Sequence, residues 1–334
     1  MTSTTPEHAG RRTAAGAVSE LSARSTTKRV LVVGAGATGG YFGARLAQAG
    51  RDVTFLVRPG RAAALRTTGL RLSGPDGDEA VIPRLVTAQE LAEPYDVILL
   101  AVKAEALDTA LTDVTPAVGE SSVIIPFLNG IDHLKALTER FPGLVLGGVV
   151  RAVAHLAADG AVIFGGPTAV MEIGELTGEV SDRVRAAAGV LASAGFAFSV
   201  SDDIRTAMWH KWVFISTVSV ITCLMTGTIG EVAAVPGGPD FAAAVLEETT
   251  AVAAGAKHPL SAAQVQGLRT MATQEGSPFA PSMYRDMTDQ RPTEVEHVLA
   301  SLSSAATDLD IPTPLVDLAV LRLRVHNRKP VTPS

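Results

Sequence analysis

The segment Lys28–Phe42, KRVLVVGAGATGGYF, constrains the fold more than any other part of the chain. A β-branched apolar run at Val30–Val33 predicts a strand that is buried on both faces. Of the three glycines that follow, Gly34 allows the chain to reverse, Gly36 allows backbone to approach a pyrophosphate, and Gly39 allows the next helix to pack closely. The alternative is a turn that binds nothing. Because strand, turn and helix follow in order, we predict a dinucleotide site formed by Gly34, Ala35, Gly36, Ala37, Thr38 and Gly39.

Composition and charge limit the classes of protein to consider. With 334 residues, of which 47% are hydrophobic and 19% are charged, the chain is long enough for two domains with cores of their own. Its net charge of −6 gives no basic excess for nucleic acid or an anionic membrane. The only cysteine, Cys223, excludes an intrachain disulfide and lies in an apolar run typical of a core. We expect a cytoplasmic protein, either a monomer or a homodimer, without nucleic-acid or membrane partners.

The pattern of elements changes once along the chain. Residues 1–27 are rich in Thr, Ser, Ala and Gly and are predicted to be a disordered leader. Residues 28–202 alternate strands and helices, with turn residues at Gly74–Gly77 predicting a hairpin. Residues 203–334 show only helical periodicity. The predicted fold is an α/β Rossmann-like, NADP-binding N-terminal domain followed by an all-α C-terminal domain for substrate and catalysis. The predicted C-terminal helices are 205–224, 241–256, 261–274, 293–309 and 315–326.

Arg58 predicts the cofactor. In NAD sites an acidic residue near the end of the second strand binds the ribose hydroxyls, whereas a 2′-phosphate requires an arginine. Here the second predicted strand, 53–57, is followed by Arg58, with Arg61 nearby. Guanidinium matches phosphate geometry. The alternative is that these are solvated turn residues, but the sequence favours NADPH.

Two further strands deliver polar residues to one edge of the predicted sheet. The segment Asp96–Lys103, DVILLAVK, ends at Lys103, and Ser122–Gly130, SVIIPFLNG, carries Asn129 near its end. In open α/β sheets ligands gather at the carboxyl ends of the strands. Lys103 and Asn129 are therefore candidates to contact cofactor or substrate, although either residue alone is also consistent with a simple polar strand end.

Lys211 is the candidate for the chemistry. Hydride transfer to a carbonyl leaves negative charge on oxygen, so a proton donor or cation is needed there. Lys211 lies early in an otherwise apolar helix, where burying an unpaired ammonium is costly. The alternative is a lysine that extends to solvent at the helix edge. His210 is interpreted as a surface or packing residue, and the other histidines lack metal-ligand spacing, so no metal is predicted.

The segment Pro281–Glu296, PSMYRDMTDQRPTEVE, contains two further candidates, Ser282 and Glu294. A structural account exists for both. Pro292 and the glutamates that follow it suit the start of a helix, and Ser282 suits a cap. On these grounds alone their role stays open.

Several short motifs together resemble the ketopantoate reductase family (2-dehydropantoate 2-reductases). The resemblance extends from Lys28 to about Arg324. It is carried by GAGATGGYFG at 34–43, VKA at 102–104, LNG at 128–130, WHK at 209–211, PSM at 281–283 and RPTE at 291–294. The order and spacing of the motifs are specific, although each is short.

The resemblance implies an NADPH-dependent reductase that converts 2-dehydropantoate to (R)-pantoate, a step toward pantothenate and coenzyme A. It implies that Lys211 is the general acid and that Glu294 binds the substrate hydroxyl. It further implies that Ser282 binds the carboxylate, and that Lys103 and Asn129 lie at the cofactor and active-site edge. A small 2-oxo acid is the implied partner.

The sequence departs from the family pattern on the lysine helix. Pantoate-forming members carry asparagines four and eight residues after the lysine, and this chain has Ile215 and Ser219 there, of which Ser219 is a candidate to bind the substrate. Isoleucine cannot replace the hydrogen bonds of an amide, so the substrate preference is expected to differ. A reductase of another 2-oxo acid or of a specialised-metabolite ketone is therefore an alternative, and a nucleotide-binding regulatory protein without turnover is a second. The combination of Lys211, Ser282 and Glu294 argues against the latter.

Overall fold

The computed structural model describes residues 28–328, which form two β-sheets with helices and then a helical part. The first elements are β1 (Arg29–Val33), α1 (Ala37–Gln48), β2 (Asp52–Leu56), α2 (Pro59–Thr68), β3 (Leu70–Gly74), β4 (Gly77–Val81), β5 (Arg84–Val86), β6 (Tyr95–Leu100), α3 (Leu107–Val114), β7 (Val118–Pro126), α4 (His133–Arg140), β8 (Gly147–Leu156), β9 (Val162–Gly174), α5 (Asp182–Leu191) and β10 (Ala197–Val200). The later helices are α6 (Ile204–Met225), α7 (Ile229–Ala233), α8 (Gly238–Gly255), α9 (Ala262–Ala272), α10 (Ser282–Thr288), α11 (Ser301–Asp308) and α12 (Pro314–Asn327). The predicted leader, residues 1–27, lies outside the described residues.

The first sheet has five parallel strands in the order β5-β2-β1-β6-β7. Its central strand β1 is buried on both faces, since Val30, Leu31 and Val32 have no exposed surface. The chain moves outward from β1 through β2 and then returns to the other side through β6. The order of strands therefore reverses between β1 and β6, where doubly wound sheets bind their ligands. The predicted Rossmann-like class is confirmed.

The second sheet has the order β10-β9-β3-β4, and β8 pairs with β9. The predicted hairpin is present as β3 and β4, with Gly77 at φ +111° in its turn, but it belongs to this second sheet rather than the first. Helix α1 lies between the two sheets. Its Phe42 contacts Phe127 and Phe196, with ring centroids 5.5 and 4.9 Å apart.

Helix α6 forms the centre of the helical part. Asp203 caps it by accepting the Thr206 N–H at 3.1 Å. Among the described residues it is the one helix long and apolar enough to cross a membrane by length and composition, but 67% of its most apolar 18-residue window is buried within the fold. This burial is that of a core helix. Cys223 is buried in it, and burial raises the pKa of its thiol to about 12, so Cys223 is a packing residue as predicted.

The structure corrects two element boundaries and adds two short helices. The strand predicted to reach Lys103 ends at Leu100. The helix predicted from residue 293 begins later, with a π-helical turn at Glu296–Ala300 that continues into α11. The cause is Thr293, whose backbone N–H and hydroxyl both donate to Asn327 Oδ1, at 2.9 and 3.1 Å, and keep this segment out of the helix. The sequence reasoning missed α7 and α10, of five and seven residues, because such short helices give little periodicity.

Candidate active site

The glycine turn after β1 has the geometry of a phosphate-binding turn. Gly34 lies at φ +98°, and its N–H donates to the Leu56 carbonyl of β2 at 3.0 Å. A Cβ on Gly39 would lie 2.1 Å from the Gly34 carbonyl oxygen, whereas a Cβ on Gly36 would meet no atom within 4 Å. The fold itself therefore requires Gly34 and Gly39. Gly36 instead borders open space, as expected where a pyrophosphate approaches the backbone.

The N-terminus of α1 opens onto that space. Its N-cap residue, Gly36, has no side chain, and the first intrahelical bond runs from the Gly40 N–H to the Gly36 carbonyl at 2.8 Å. The preceding N–H groups, from Ala37 to Gly39, have no intrahelical partner and are available to bind an anion. The residues present thus fit the phosphates of a dinucleotide.

The two arginines after β2 lie in different environments. Arg58 is exposed at the N-cap of α2. Arg61 donates to the carbonyl oxygens of Ala35 and Gly160 at 3.2 and 3.1 Å, and burial lowers the pKa of its guanidinium. Arg61 therefore holds the glycine turn in place, and Arg58 is the arginine whose side chain extends from the end of β2.

The residues beyond β6 and β7 contact the helical part of the protein. The Lys103 ammonium lies 3.2 Å from Asp286 Oδ2 of α10. Asn129 is partly buried and precedes Gly130, which lies at φ +76°. A Cβ on Gly130 would be 2.7 Å from the His297 carbonyl oxygen in the π-helical turn. We therefore place the candidate site at the junction of the first sheet and the helices, and call this junction the cleft.

Lys211 lies in the second turn of α6, partly buried and without a carboxylate in ion-pair distance among the described residues. Burial lowers the pKa of its ammonium to about 8, the positive charge of Arg151 acts in the same direction, and the carboxylate of Glu294 opposes them. An amine that titrates near neutral pH is suited to donate a proton in a reaction.

Glu294 connects Lys211 to the first sheet. It precedes the π-helical turn and is partly buried. Its Oε1 accepts a hydrogen bond from the Ala104 N–H at 3.3 Å, just beyond β6. The carboxylate thus lies between the end of a Rossmann strand and the buried lysine, although the two residues are 83 positions apart in the chain.

Ser282 is the first residue of α10 and is exposed, so it does not cap this helix, for which Pro281 is the N-cap. One turn later Asp286 accepts from Lys103 and, at 2.9 Å, from the Arg291 Nε. Residues four apart share a helix face. Ser282 therefore lies on the face of α10 that is turned toward Lys103.

The helix face that continues from Lys211 carries little hydrogen-bonding capacity. Ile215, four residues on, is partly buried and packs against the helical core. Ser219, eight residues on, is 2% exposed. The position four residues after Lys211 therefore carries an apolar side chain in place of an amide.

The sequence reasoning missed two residues near Lys211. Arg151 of β8 is exposed, and its charge acts on the lysine. His133, the first residue of α4, is 6% exposed, and its Nε2 has no hydrogen-bond partner among the residues that the structure describes. Burial and the charge of Lys211 lower the pKa of this imidazole to about 3, so it is neutral at physiological pH. The alternation of side chains along β8 could have indicated Arg151, but no local pattern indicated His133.

Two further expectations from the sequence concern His210 and metal binding. His210 contacts the Pro259 carbonyl at 3.2 Å and Gln264 at 3.1 Å, which confirms its interpretation as a packing residue. Within residues 28–328, no group of three or more His, Cys, Asp or Glu side chains is arranged to hold a metal ion.

Two family models match the sequence. Residues 30–178 match the model described as "Ketopantoate reductase PanE/ApbA", and residues 203–326 match "Ketopantoate reductase PanE/ApbA C terminal". An uncharacterized oxidoreductase, YkpB of Bacillus subtilis, is 33% identical over 300 residues, covering 89% of this chain and 98% of its own. A 2-dehydropantoate 2-reductase of Archaeoglobus fulgidus is 30% identical over 285 residues, covering 85% and 92%.

A solved structure shows how widely this fold is used. D-mandelate dehydrogenase, in a ternary structure with NADH and anilino(oxo)acetate, superposes with a TM-score of 0.80. It covers 90% of this chain and 98% of its own, at 21% identity. This likeness establishes the fold alone, and it shows that the same architecture accommodates NADH.

Proposed function

The chain belongs to the ketopantoate reductase family, and we propose that it uses NADPH to reduce 2-dehydropantoate to (R)-pantoate, in the cytoplasm, for pantothenate and coenzyme A synthesis. The observation that carries the proposal is the position of Glu294, whose carboxylate accepts from the Ala104 N–H beyond β6 and also acts on the charge of Lys211. These residues come from distant parts of the chain and face the point where the strand order reverses. A catalytic role explains why a lysine of lowered pKa is kept there.

The glycine turn and the α1 N-terminus would hold the cofactor. The backbone N–H groups of Ala37, Thr38 and Gly39 would bind its phosphates, with Lys103 and Asn129 at the nicotinamide edge. When bound, the reduced nicotinamide supplies the hydride. The chain's own residues then have to bind the keto acid, orient it and provide the proton.

Lys211 supplies that proton. With a pKa of about 8, its ammonium is the major form at neutral pH and donates a hydrogen bond to the substrate carbonyl oxygen. As negative charge develops on this oxygen, the interaction strengthens and the proton moves from Nζ to the alkoxide. Glu294 binds the substrate hydroxyl, and Ser282 binds the carboxylate.

NADPH is proposed over NADH because Arg58 is exposed at the end of β2, where a 2′-phosphate is bound in this fold. The test is the ratio of kcat/KM for NADPH and NADH in the wild type and in Arg58→Ala. We expect a preference for NADPH that falls about 10–100-fold in the variant, as for loss of a charge-assisted phosphate contact. A wild-type preference for NADH, or an unchanged ratio, contradicts the assignment.

The reaction itself is tested by NADPH oxidation on addition of 2-dehydropantoate. We expect turnover by the wild type and near loss of turnover in Lys211→Ala. The matched control is Lys257→Ala, which changes an exposed lysine at φ +68° beyond α8 and should keep the wild-type rate. Binding of NADPH without turnover of any carbonyl compound would favour a regulatory protein instead.

Ile215 favours a second candidate, a reductase of a different 2-oxo acid or of a specialised-metabolite ketone. Isoleucine at this position, four residues after Lys211, offers apolar surface in place of an amide, so a substrate with an apolar group there would gain from burial. The discriminating measurement is kcat/KM for 2-dehydropantoate against 2-oxo-3,3-dimethylbutanoate, which lacks the hydroxyl. A preference for the latter that reverses in Ile215→Asn supports the second candidate.

A further inference from the structure

Arg151 lies beside Lys211 for reasons of backbone geometry. Gly147 of β8 packs directly on Ile204, since a Cβ at this glycine would lie 2.6 Å from the Ile204 side chain. Two residues on, Val149 shares a core cluster with Ile204 and Met208 of α6. Because alternate residues of a strand share a face, Arg151 is next along the same face of β8. The contacts move along β8 and α6 in the same direction, from Gly147 at Ile204 to Val149 at Met208. Arg151 is therefore expected at the next turn of α6, which carries Lys211.

Within the part of the chain that the structure describes, the guanidinium of Arg151 has no hydrogen-bond or ion-pair partner. The side chain is exposed, and no ion pair of the described residues includes it. The pairing between β8 and β9 changes register directly after it, between Arg151 and Val153, and such irregularities re-aim side chains at functional sites. The charges that act on Lys211 are therefore one cation, Arg151, and one carboxylate, Glu294.

We propose that Arg151 binds the carboxylate of the substrate and thereby selects 2-oxo acids over neutral ketones. In a 2-oxo acid the carboxylate is bonded directly to the carbonyl carbon, so two neighbouring cations match its two oxygen-bearing groups. Lys211 faces the carbonyl oxygen and Arg151 the carboxylate, which a planar guanidinium binds in a bidentate way. This inference rests on the proposed reduction of a 2-oxo acid. In that reaction the substrate carboxylate would then have two contacts, the hydroxyl of Ser282 and the guanidinium of Arg151.

The electrostatics of the unliganded cleft agree with this role. Two like charges in a partly buried site repel each other, and the lowered pKa of Lys211 records part of that repulsion. A bound carboxylate removes it. An anionic substrate is thus favoured by both cations, whereas a neutral ketone leaves them uncompensated.

The test compares Arg151→Gln and Arg151→Lys with the wild type, with Arg185→Gln on α5 as the matched exposed-arginine control. The substrates are 2-dehydropantoate and its amide, which differ in the charge of one group. In Arg151→Gln we expect KM for the acid to rise about 10–100-fold and KM for the amide to change by less than about threefold. Arg151→Lys should recover part of the preference. Equal losses for acid and amide, or no loss for the acid, overturn the proposal.

A binding measurement separates this proposal from the proposed reaction. Oxamate carries a carboxylate next to an amide carbonyl and needs no turnover to bind. Calorimetry with NADPH-loaded protein should give oxamate binding that weakens at least about tenfold in Arg151→Gln. If oxamate binding behaves so while 2-dehydropantoate is not reduced, the proposed reaction fails and the carboxylate site stands. Absence of oxamate binding to the wild type, or equal binding to the variant, contradicts the carboxylate site.

Discussion

Replacing Lys211 by methionine should stabilise the protein at neutral pH while it removes activity. Methionine keeps the unbranched apolar stem and deletes the ammonium, so the packing of α6 changes little. The charge itself is costly in this environment, because burial and Arg151 both disfavour it. A site that keeps such a charged group for catalysis does so at a cost in stability, so removing the group should raise the free energy of unfolding.

The size of the effect follows from the pKa. A lowering from 10.5 to about 8 corresponds to about 3.5 kcal/mol, at about 1.4 kcal/mol per unit. Part of this gain is lost because the lysine is partly exposed and because Glu294 loses an opposite charge. We therefore expect Lys211→Met to raise the free energy of unfolding by about 1–2 kcal/mol at pH 7.

The pH dependence gives the sharper test. The folded-state pKa lies below the unfolded value, so the full destabilisation by Lys211 is present below pH 8, where both states are protonated. Between pH 8 and 10.5 the folded protein loses the proton first, and the wild type gains stability relative to the variant. Urea unfolding at pH 7, 8, 9 and about 10.5 measures the difference. Destabilisation by Lys211→Met at pH 7, or a difference that does not shrink toward high pH, would refute the reasoning.

Three further predictions concern the cleft and the glycine turns. In the reduction assay the alkaline limb of kcat/KM should move to higher pH in Arg151→Gln and to lower pH in Glu294→Gln, by up to about 1 unit. The size follows because two unit charges about 8 Å apart interact by about 2 kcal/mol at an effective dielectric constant of about 20. Shifts of both variants in the same direction would contradict this prediction. Gly36→Ala should leave the melting temperature nearly unchanged and weaken NADPH binding at least about tenfold, whereas Gly39→Ala should unfold at lower temperature; calorimetry on both separates the two roles. Gly130→Ala should cost about 1–3 kcal/mol in urea unfolding, because its φ of +76° and the nearby His297 carbonyl both exclude a Cβ; a change below about 0.5 kcal/mol would count against that packing.

Much of the fold follows from local patterns. The buried run of β1, the glycines after it and the helical periodicity of α6, α8 and α12 are each specified within a few residues, and the structure has them at the predicted places. The late start of the helix before α11 was missed for a physical reason. Thr293 bonds to Asn327, which lies 34 positions away, and no local pattern contains that contact.

The same distinction applies to the candidate site. Both lysines were recognisable from the sequence because each is a charge in an apolar setting. Lys103 ends an apolar strand segment, and Lys211 lies within an apolar helix. Arg151 was not recognisable in this way, because its meaning depends on the packing of β8 against α6, which the sequence gives only after the register is known. His133 is a similar case, since its burial depends on where α4 lies. Residue types are visible in the sequence, whereas their juxtaposition is a tertiary property.

The arrangement of charge and apolar surface in the cleft bears on how a change at Ile215 alters specificity. Amides that hydrogen-bond the substrate act on its hydroxyl and carbonyl groups and reject analogues that lack them. Two cations act instead on the negative charge that every 2-oxo acid carries. With Ile215 on the lysine helix and Arg151 acting beside Lys211, the cleft should depend more on charge for recognition and less on the exact polar pattern of the substrate's side chain. The reaction type is then preserved while the range of accepted 2-oxo acids widens.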